Sequence, residues 1–266
     1  MGAPWSWTIF DGFVALKREL SWASLSPFIE TGQAFARQHC SELPDLVRTW
    51  NEHLEALGGD PSTYDWTTFR PLALDHETDW SDWLHHFFAK STTGQFAFEL
   101  FGRSRFESAK QCALPSVKCE DVSEDRRADL VIAWVHGDYT QLEVKVGDLG
   151  LEKTYDTAHK LEQKYGACWT HYLLVPWEDE HWWHSLEHQD RITVHLITWD
   201  DVAVALRRCL RLGAEDRRWL AWACGFCGLV EQKLIGLPLS TAPLDICNIS
   251  RHVRQIAIMK KGLEDA

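Results

Sequence analysis

The chain has 266 residues, of which 45% are hydrophobic and 25% are charged, a composition typical of an ordinary globular protein. No apolar stretch approaches the roughly 20 residues that span a bilayer, and the first residues lack the basic start and apolar segment of a signal peptide. We therefore expect a cytoplasmic protein with no membrane partner. The formal net charge of −12 argues against a surface that is basic overall. Any contact with nucleic acid should be confined to a local cleft or assisted by a partner.

Regular apolar spacing predicts helices in the N-terminal part of the chain. One helix is predicted over about 26–39, and a second begins near Pro44 and ends before the pair Gly58–Gly59. The segment 60–71 is rich in turn-forming residues and marks a boundary. We therefore predict a helical N-terminal region over residues 1–75.

From residue 79 the pattern changes to one of mixed helices and strands. Apolar residues at helical spacing from Trp80 to Phe88 predict a helix, and Gly94 interrupts the helical pattern. The order that follows predicts an α/β fold, with a mixed central β-sheet flanked by helices over residues 76–205 and a helical C-terminal region over 206–266. The predicted elements are strands over 117–122, 128–135 and 139–146, a helix over 151–165, strands over 171–175 and 192–197, and a helix from Asp200 or Asp201 to Leu210.

Two adjacent and mostly apolar strands carry the residues of greatest chemical interest. Asp129 stands in the first strand, and Glu143 and Lys145 stand two residues apart in the second, so that these two side chains share a face. An acid and a base in an otherwise buried strand are costly unless they are paired or bind a metal ion. Such a conflict with burial is expected at a functional site. The alternative is a turn-capping aspartate and an ordinary Glu–Lys pair on a solvated strand.

The segment from Asp129 to Lys145 resembles the PD-(D/E)XK nuclease superfamily, the restriction-endonuclease-like group. An acid is followed by an apolar strand, a short turn and Glu143-Val144-Lys145, and the order of elements over roughly 80–205 also fits. The proline of the family's name is replaced by Ala128, which affects no ligand. The resemblance implies a restriction-endonuclease-like core and a Mg²⁺-dependent endonuclease that hydrolyses DNA phosphodiester bonds, with RNA as the alternative substrate. It also implies a homo-oligomer or a subunit of a larger complex, such as a bacterial antiviral defence or mobile-element system.

The resemblance also implies a role for each residue of the motif. Asp129, Glu143 and the main-chain carbonyl of Val144 would hold one or two Mg²⁺ ions, with Mn²⁺ as a substitute, because hard oxygen ligands suit these cations. Lys145 would orient the attacking water and stabilise the transition state, and would assist deprotonation if its pKa were depressed. Glu99, in an apolar helix ahead of the strands, is the fourth candidate ligand. Its alternative role is that of a surface glutamate.

Two groups of basic residues are candidates for contact with phosphates. The denser group precedes Asp129 and is the first candidate for a nucleic-acid cleft. The second lies on the helix after Lys145, where a solvated face is an equal alternative. The leading rival function is a catalytically inactive nuclease-fold protein that binds nucleic acid or acts as a scaffold, although the complete acid–acid–lysine set argues against it. The first group is Arg103, Arg105, Lys110, Arg126 and Arg127, and the second is Lys153, Lys160 and Lys164.

Two further motifs are interpreted as structural. Cys224 and Cys227 have the spacing of a metal or redox pair, but they lie in an apolar helical stretch without a second pair, so core packing is favoured over zinc binding or redox chemistry. His181, His184 and His188 would share one face of a helix and could hold a transition metal. An exposed amphipathic turn explains them better, since no His-Glu-x-x-His pattern is present.

The length of the connection between the two motif strands decides whether the site can exist. A two-residue turn at Gly137-Asp138 would place the carboxylates of Asp129 and Glu143 on opposite faces of the sheet, because a one-residue slip in register reverses every side chain. A real site requires a three- or five-residue loop, a bulge, or an Asp129 outside the regular ladder. With a three-residue loop, His136 would pair with Thr140.

Overall fold

A mixed β-sheet with helices on both faces forms the centre of the protein, as the sequence predicts. The computed structural model describes residues 22–68, 74, 76–101, 116–123, 126–134, 137–147, 152–166, 169–176, 194–242 and 248–264.

In the described part of the chain the sheet has five strands, which lie in the order of the sequence. The first three form an antiparallel meander, and the fourth and fifth run parallel to the third. In the sequence, helix α5 (Glu152–Tyr165) follows the third strand and precedes the fourth. It forms the crossover connection that two parallel neighbouring strands need. The strands are β1 (Ser116–Ser123), β2 (Arg126–Ala133), β3 (Tyr139–Val144), β4 (Trp169–Val175) and β5 (Val194–Thr198).

The other helices extend before and after the sheet. Most predicted elements are confirmed with shifts of a few residues at their ends. The last predicted helix begins at Trp199, where the Thr198 side chain accepts a hydrogen bond from the Asp201 N–H and caps the first turn. The helices are α1 (Trp22–Cys40), α2 (Leu43–His53), α3 (Glu77–Lys90), α4 (Gln95–Phe101), α6 (Trp199–Leu212), α7 (Arg217–Leu229), which continues into a π-helical turn (Val230–Leu234), and α8 (Ile249–Leu263).

The two faces of the sheet pack against different partners. Leu130 and Leu142 point into the large hydrophobic core that contains residues of α3, α4, α6, α7 and α8. Val131 points to the other face, where it packs with Leu161 of α5 and with Trp169. Ala128 of β2 and Tyr139 of β3 pack on this second face as well. Because side chains alternate along a strand, Gln141 and Glu143 of β3 share the face of Tyr139.

The three predicted regions of the chain share one hydrophobic core. Trp50 of the N-terminal region, Leu142 of the sheet and Met259 of the C-terminal region are all buried in the same cluster. Helix α6 runs through residue 205, the position at which the sequence pattern divides the central core from the C-terminal region. The helical additions are therefore packed directly onto the sheet domain.

A buried ion-pair network crosses the boundaries between these regions. Arg207 of α6 is fully buried, and its guanidinium donates to Asp60 Oδ2 at 2.9 Å and to Glu231 Oε1 at 2.6 Å. The Trp50 ring lies 4.8 Å from the guanidinium carbon, within the range of a cation–π contact. An unpaired buried charge costs several kcal/mol. The network therefore fixes the segment around Asp60 and the π-helical turn relative to α6.

We predict that Arg207→Met lowers the free energy of unfolding by about 3–5 kcal/mol, because it leaves two buried carboxylates without their cation. Urea denaturation measures the loss. Arg254→Met is the matched control: Arg254 pairs with Asp200 through two bonds of 2.7 Å, but both side chains are partly exposed. Its loss should stay below about 1 kcal/mol. Equal losses in the two variants would contradict a special role for the buried network.

Candidate active site

The connection between β2 and β3 has the length that the site requires. Ala133 pairs with Tyr139, so the five residues from 134 to 138 join the strands. The two-residue turn is therefore excluded, and Thr140 lies opposite Ile132 rather than opposite His136. Gly137 has a φ of 86°, a left-handed conformation that favours glycine. The five-residue alternative is thus the correct one.

The two predicted carboxylates lie near each other at the end of the β2–β3 ladder. The ladder ends at the pair Leu130 and Leu142, and the charge of Asp129, the next residue of β2, acts on both Glu143 and Lys145. Asp129 Oδ2 accepts a hydrogen bond from the Val144 N–H at 2.8 Å. The N–H and C=O of a strand residue point to the same side of the strand, so the Val144 carbonyl also faces β2. Asp129 is therefore in direct contact with Val144, and its charge also acts on the neighbouring Glu143.

Glu143 and Lys145 form a buried pair at the end of β3. Lys145 Nζ donates to Glu143 Oε1 at 3.0 Å, and the two residues are only 9% and 7% exposed. The second carboxylate oxygen of Glu143, Oε2, is buried and has no hydrogen-bond partner among the described residues. A solvated Glu–Lys pair is therefore excluded. A buried oxygen without a partner is costly and calls for a ligand or an ordered water.

The pKa values of this pair are shifted by its burial and by the neighbouring carboxylates. Burial, followed by the neighbouring Asp129 charge, raises the pKa of Glu143 to about 7, although the Lys145 cation opposes the shift. Burial acts to lower the pKa of Lys145, but the carboxylates of Glu143, Glu77 and Asp129 outweigh it and raise that pKa. Lys145 therefore stays protonated at neutral pH. The depressed pKa that it would need to accept a proton is not present.

Glu77, the first residue of α3, is a third carboxylate at the site, and the sequence analysis missed it. Its Oε2 lies 3.7 Å from Lys145 Nζ, and its Oε1 accepts a hydrogen bond from the Val146 N–H at 3.0 Å. A glutamate in the first turn before the stripe that begins at Trp80 is an ordinary helix-start signal. The sequence pattern therefore gives no sign that Glu77 belongs to the site, because only the tertiary fold brings the start of α3 to the end of β3.

Glu99, the fourth ligand expected from the sequence, makes different contacts. Its buried side chain accepts hydrogen bonds from Gln95 Nε2 at 2.7 Å and from Arg208 at 3.1 Å. These contacts tie α4 to α6. Glu77 rather than Glu99 is thus the helix carboxylate that contacts Lys145.

The donor atoms of the site fit a hard cation. No group of three or more His, Cys, Asp or Glu side chains in the described ranges is arranged to hold a metal ion by itself. Asp129, Glu143 and the Val144 carbonyl nevertheless supply oxygen atoms of the type that Mg²⁺ and Mn²⁺ prefer. Mg²⁺ usually keeps several waters and uses one or two carboxylates. The unpartnered Oε2 of Glu143 fits this incomplete type of site.

Several sequence-predicted groups lie outside the described residues. They include Arg103, Arg105, Lys110 and the histidines His181, His184 and His188. Arg126 and Arg127 stand at the start of β2, but their side chains are not described, and the same holds for Lys153 and Lys164 of α5. Lys160 is half-buried on α5. The basic cleft therefore stays a prediction.

The cysteine pair belongs to the interior of α7. Cys224 and Cys227 are free thiols and both are buried. Burial raises the pKa of Cys224 to about 11 and also raises the pKa of Cys227, which opposes formation of a reactive thiolate. Trp66 packs against this helix at Gly228, where a Cβ atom would lie 2.2 Å from the indole ring. These contacts support core packing over redox chemistry.

Comparison of the chain with protein-family models, with curated proteins and with solved structures found no match. Within the described ranges, no helix is both long enough and apolar enough to cross a membrane. The fold and the geometry of Asp129, Glu143, Lys145 and Glu77 are therefore the basis for a functional assignment.

We predict that Glu143→Gln makes the metal-free protein more stable above neutral pH. A folded-state pKa raised from 4.5 to about 7 means that the contribution of Glu143 to stability is present below about pH 4.5 and is lost as pH rises through 7. The expected loss in the free energy of unfolding is on the order of 3 kcal/mol. Urea denaturation in EDTA at pH 5 and pH 8 measures it.

Glu52→Gln, at an exposed position of α2, is the matched control and should keep the wild-type difference between the two pH values. Glu143→Gln should reduce that difference. If the difference in free energy of unfolding between pH 5 and pH 8 were unchanged in Glu143→Gln, ionisation of Glu143 would not destabilise the folded protein. That result would contradict the effect expected from its burial.

Proposed function

We propose that this protein is a metal-dependent endonuclease of the PD-(D/E)XK type, which hydrolyses DNA phosphodiester bonds with Mg²⁺ or Mn²⁺. The observation that carries the proposal is the convergence of three charged side chains at the end of the β2–β3 ladder: Asp129 accepts from the Val144 N–H, Glu143 accepts from Lys145, and the Asp129 charge acts on both. Two carboxylates, a main-chain carbonyl and a lysine near the end of the central strand β3 are groups that can hold a divalent cation and stabilise charge during hydrolysis of a phosphodiester. The unpartnered Oε2 of Glu143 supports a ligand at this position.

The topology supports the same proposal. Two helices, three antiparallel strands, a crossover helix and a parallel strand follow one another from α3 to β4. This is the order of elements on which the sequence resemblance rests. A restriction-endonuclease-like core over this part of the chain is therefore part of the proposal. Fold alone does not define an activity, so the assignment depends on the site residues.

Each residue of the site has a defined task in the proposed reaction. Asp129, Glu143 and the Val144 carbonyl would hold the cation, which supplies Lewis acidity for the attacking water and neutralises charge on the phosphate oxygens. Lys145 stays protonated, so it orients the water and stabilises negative charge on the phosphate as a fixed cation. Glu77 holds the Val146 N–H and lies beside Lys145. It thereby fixes the chain immediately after the motif.

The proposal also includes a substrate, an assembly state and a cellular compartment. We propose DNA as the substrate, with RNA cleavage as an outcome of the same assay. The net charge of −12 leaves no general attraction for a polyanion. It therefore supports a local basic cleft and assembly, either as a homo-oligomer or as a subunit of a bacterial defence or mobile-element complex. The composition of an ordinary globular protein supports the cytoplasm as the compartment.

We predict that Asp129→Ala, Glu143→Ala and Lys145→Met each lower cleavage of plasmid DNA by at least about 100-fold, because each removes a charge from the reacting centre. The assay uses supercoiled, linear and single-stranded DNA and single-stranded RNA, with Mg²⁺, Mn²⁺ or EDTA. Matched controls are Glu52→Gln and Lys90→Met, which change exposed residues on α2 and α3 and should cleave like the wild type.

Cleavage that persists in Asp129→Ala or Glu143→Ala would come from a contaminant or from another site, and it would overturn the mechanism. A wild type that binds nucleic acid but cleaves no substrate with either metal would instead support the rival function, a nuclease-fold scaffold without activity.

We predict that Mn²⁺ binding, measured by calorimetry, is lost in Glu143→Gln and retained in Lys145→Met. The first variant removes one of two ligand carboxylates, whereas the second removes a cation that competes for Glu143 Oε1. Glu99→Gln should bind Mn²⁺ like the wild type, because the Glu99 carboxylate contacts Arg208. Unchanged affinity in Glu143→Gln would move the metal site elsewhere in the chain.

A further inference from the structure

The carbonyl of Lys145 is held by a side chain rather than by a neighbouring strand. Strand β3 ends at Val144, and the Lys145 N–H still donates to the Leu174 carbonyl of β4 at 2.8 Å. The Lys145 carbonyl accepts instead from the indole N–H of Trp199 at 3.1 Å. Trp199 is the first residue of α6 and is fully buried. The segment immediately after β3 is therefore tied to α6.

A proline at the end of β4 explains why a side chain is needed here. In a parallel ladder, a residue donates its N–H to one residue of the neighbouring strand. Its carbonyl accepts from the N–H of the residue two positions further along that strand. Because Lys145 donates to Leu174, its carbonyl would accept from residue 176. That residue is Pro176, which has no N–H. A carbonyl without a donor in the interior is costly, and the Trp199 indole supplies the hydrogen bond.

The strand order places Trp199 where it can supply this bond. Thr198, the last residue of β5, pairs with Val175 of β4, so Trp199 follows β5 at the level of Pro176. Its indole reaches past the end of β4 to the segment after β3, which is the next strand in the sheet. The ring also packs against Trp80 of α3, with ring centroids 5.5 Å apart and planes at 66°. This contact fixes the ring and therefore the direction of its N–H.

Helix α3 holds the next residue of the same segment. The Val146 N–H donates to Glu77 Oε1 at 3.0 Å, and Glu77 belongs to the same helix as Trp80. The starts of α3 and α6 together hold the main chain of Lys145 and Val146. From this main chain, Lys145 Nζ reaches Glu143 Oε1 at 3.0 Å. Because the stem of a lysine is flexible, the position of Nζ depends on how firmly the main chain is held.

We propose that Trp199 is a positioning residue of the site: its indole N–H replaces the donor that Pro176 lacks and so orients Lys145. The proposal rests on the proposed function, since it uses the task of Lys145 in stabilising charge on the phosphate. Trp199 acts on the reaction through Lys145 and touches no substrate itself. The proposed metal ligands all precede Lys145 in the chain, so Trp199 affects the rate of cleavage rather than the binding of the cation.

We predict that Trp199→Phe lowers the rate of cleavage at saturating DNA by about 10–100-fold, the effect of a small displacement of a group at the reacting centre. Its KM for DNA and its Mn²⁺ affinity in calorimetry should stay close to those of the wild type. Cleavage by Trp199→Phe at the wild-type rate would overturn the proposal.

The matched control is Trp219→Phe. Trp219 is also buried, and its indole N–H donates to the Phe87 carbonyl at 3.0 Å, so the same substitution removes an equivalent hydrogen bond. This variant should lose thermal stability to a similar extent as Trp199→Phe but cleave like the wild type. Equal losses of rate in the two variants would assign the effect to stability alone and would overturn the proposal.

A second substitution separates the hydrogen bond of the indole from the packing of its ring. Pro176→Ala returns an N–H to residue 176, where the regular ladder directs it to the Lys145 carbonyl. The double variant Trp199→Phe/Pro176→Ala should therefore cleave faster than Trp199→Phe, and Pro176→Ala alone completes the double-mutant cycle. If the second substitution recovers no rate, Trp199 acts through its volume and the proposal is overturned.

Hydrogen exchange gives a readout that needs neither metal nor DNA. In EDTA, the amide protons of Lys145 and Val146 should exchange faster in Trp199→Phe than in the wild type by about 10-fold or more, because the segment opens locally. Trp219→Phe should leave both protons protected. Unchanged exchange in Trp199→Phe would overturn the proposal. A wild type that cleaves no substrate would overturn the proposed function alone, because the exchange rates would still test whether Trp199 holds this segment.

Discussion

The register of the β2–β3 pair is the constraint on which the rest of the structure depends. With five residues between Ala133 and Tyr139, Leu130 and Leu142 both point into the large core, whereas Val131 and Tyr139 pack on the side of α5. A shift of one residue would exchange these faces. It would bury charged side chains among the helices of the core and expose leucines to α5. The same register that satisfies the hydrophobic effect therefore also assembles the polar site.

The site retains its charges in the interior because each has a defined neighbour. Lys145 is surrounded by the carboxylates of Glu143, Glu77 and Asp129, which raise its pKa in spite of burial. Its carbonyl accepts a hydrogen bond from the indole of Trp199 at 3.1 Å, which anchors the end of β3 to the start of α6. The cost that remains falls on Glu143, with its raised pKa and unpartnered oxygen. Such a residual cost is expected where a ligand is to bind.

The helical additions stabilise this arrangement from the opposite face. Arg207 joins Asp60 and Glu231 in the interior, so the parts of the chain before and after the sheet are tied to the same helix, α6. Helix α6 also begins at Trp199, beside the proposed site. The buried ion network and the site thus share one rigid element.

The sequence by itself determined the elements and the motif, because hydrophobic periodicity and the Asp129, Glu143 and Lys145 pattern are local properties of the chain. It also limited the connection between β2 and β3 to a few lengths, since strand alternation is fixed by geometry. Only the tertiary structure selected the five-residue connection, brought Glu77 rather than Glu99 to Lys145, and raised rather than lowered the pKa of that lysine. These outcomes depend on distances between residues far apart in the chain, and burial and Coulomb interactions act through those distances, which no local pattern contains.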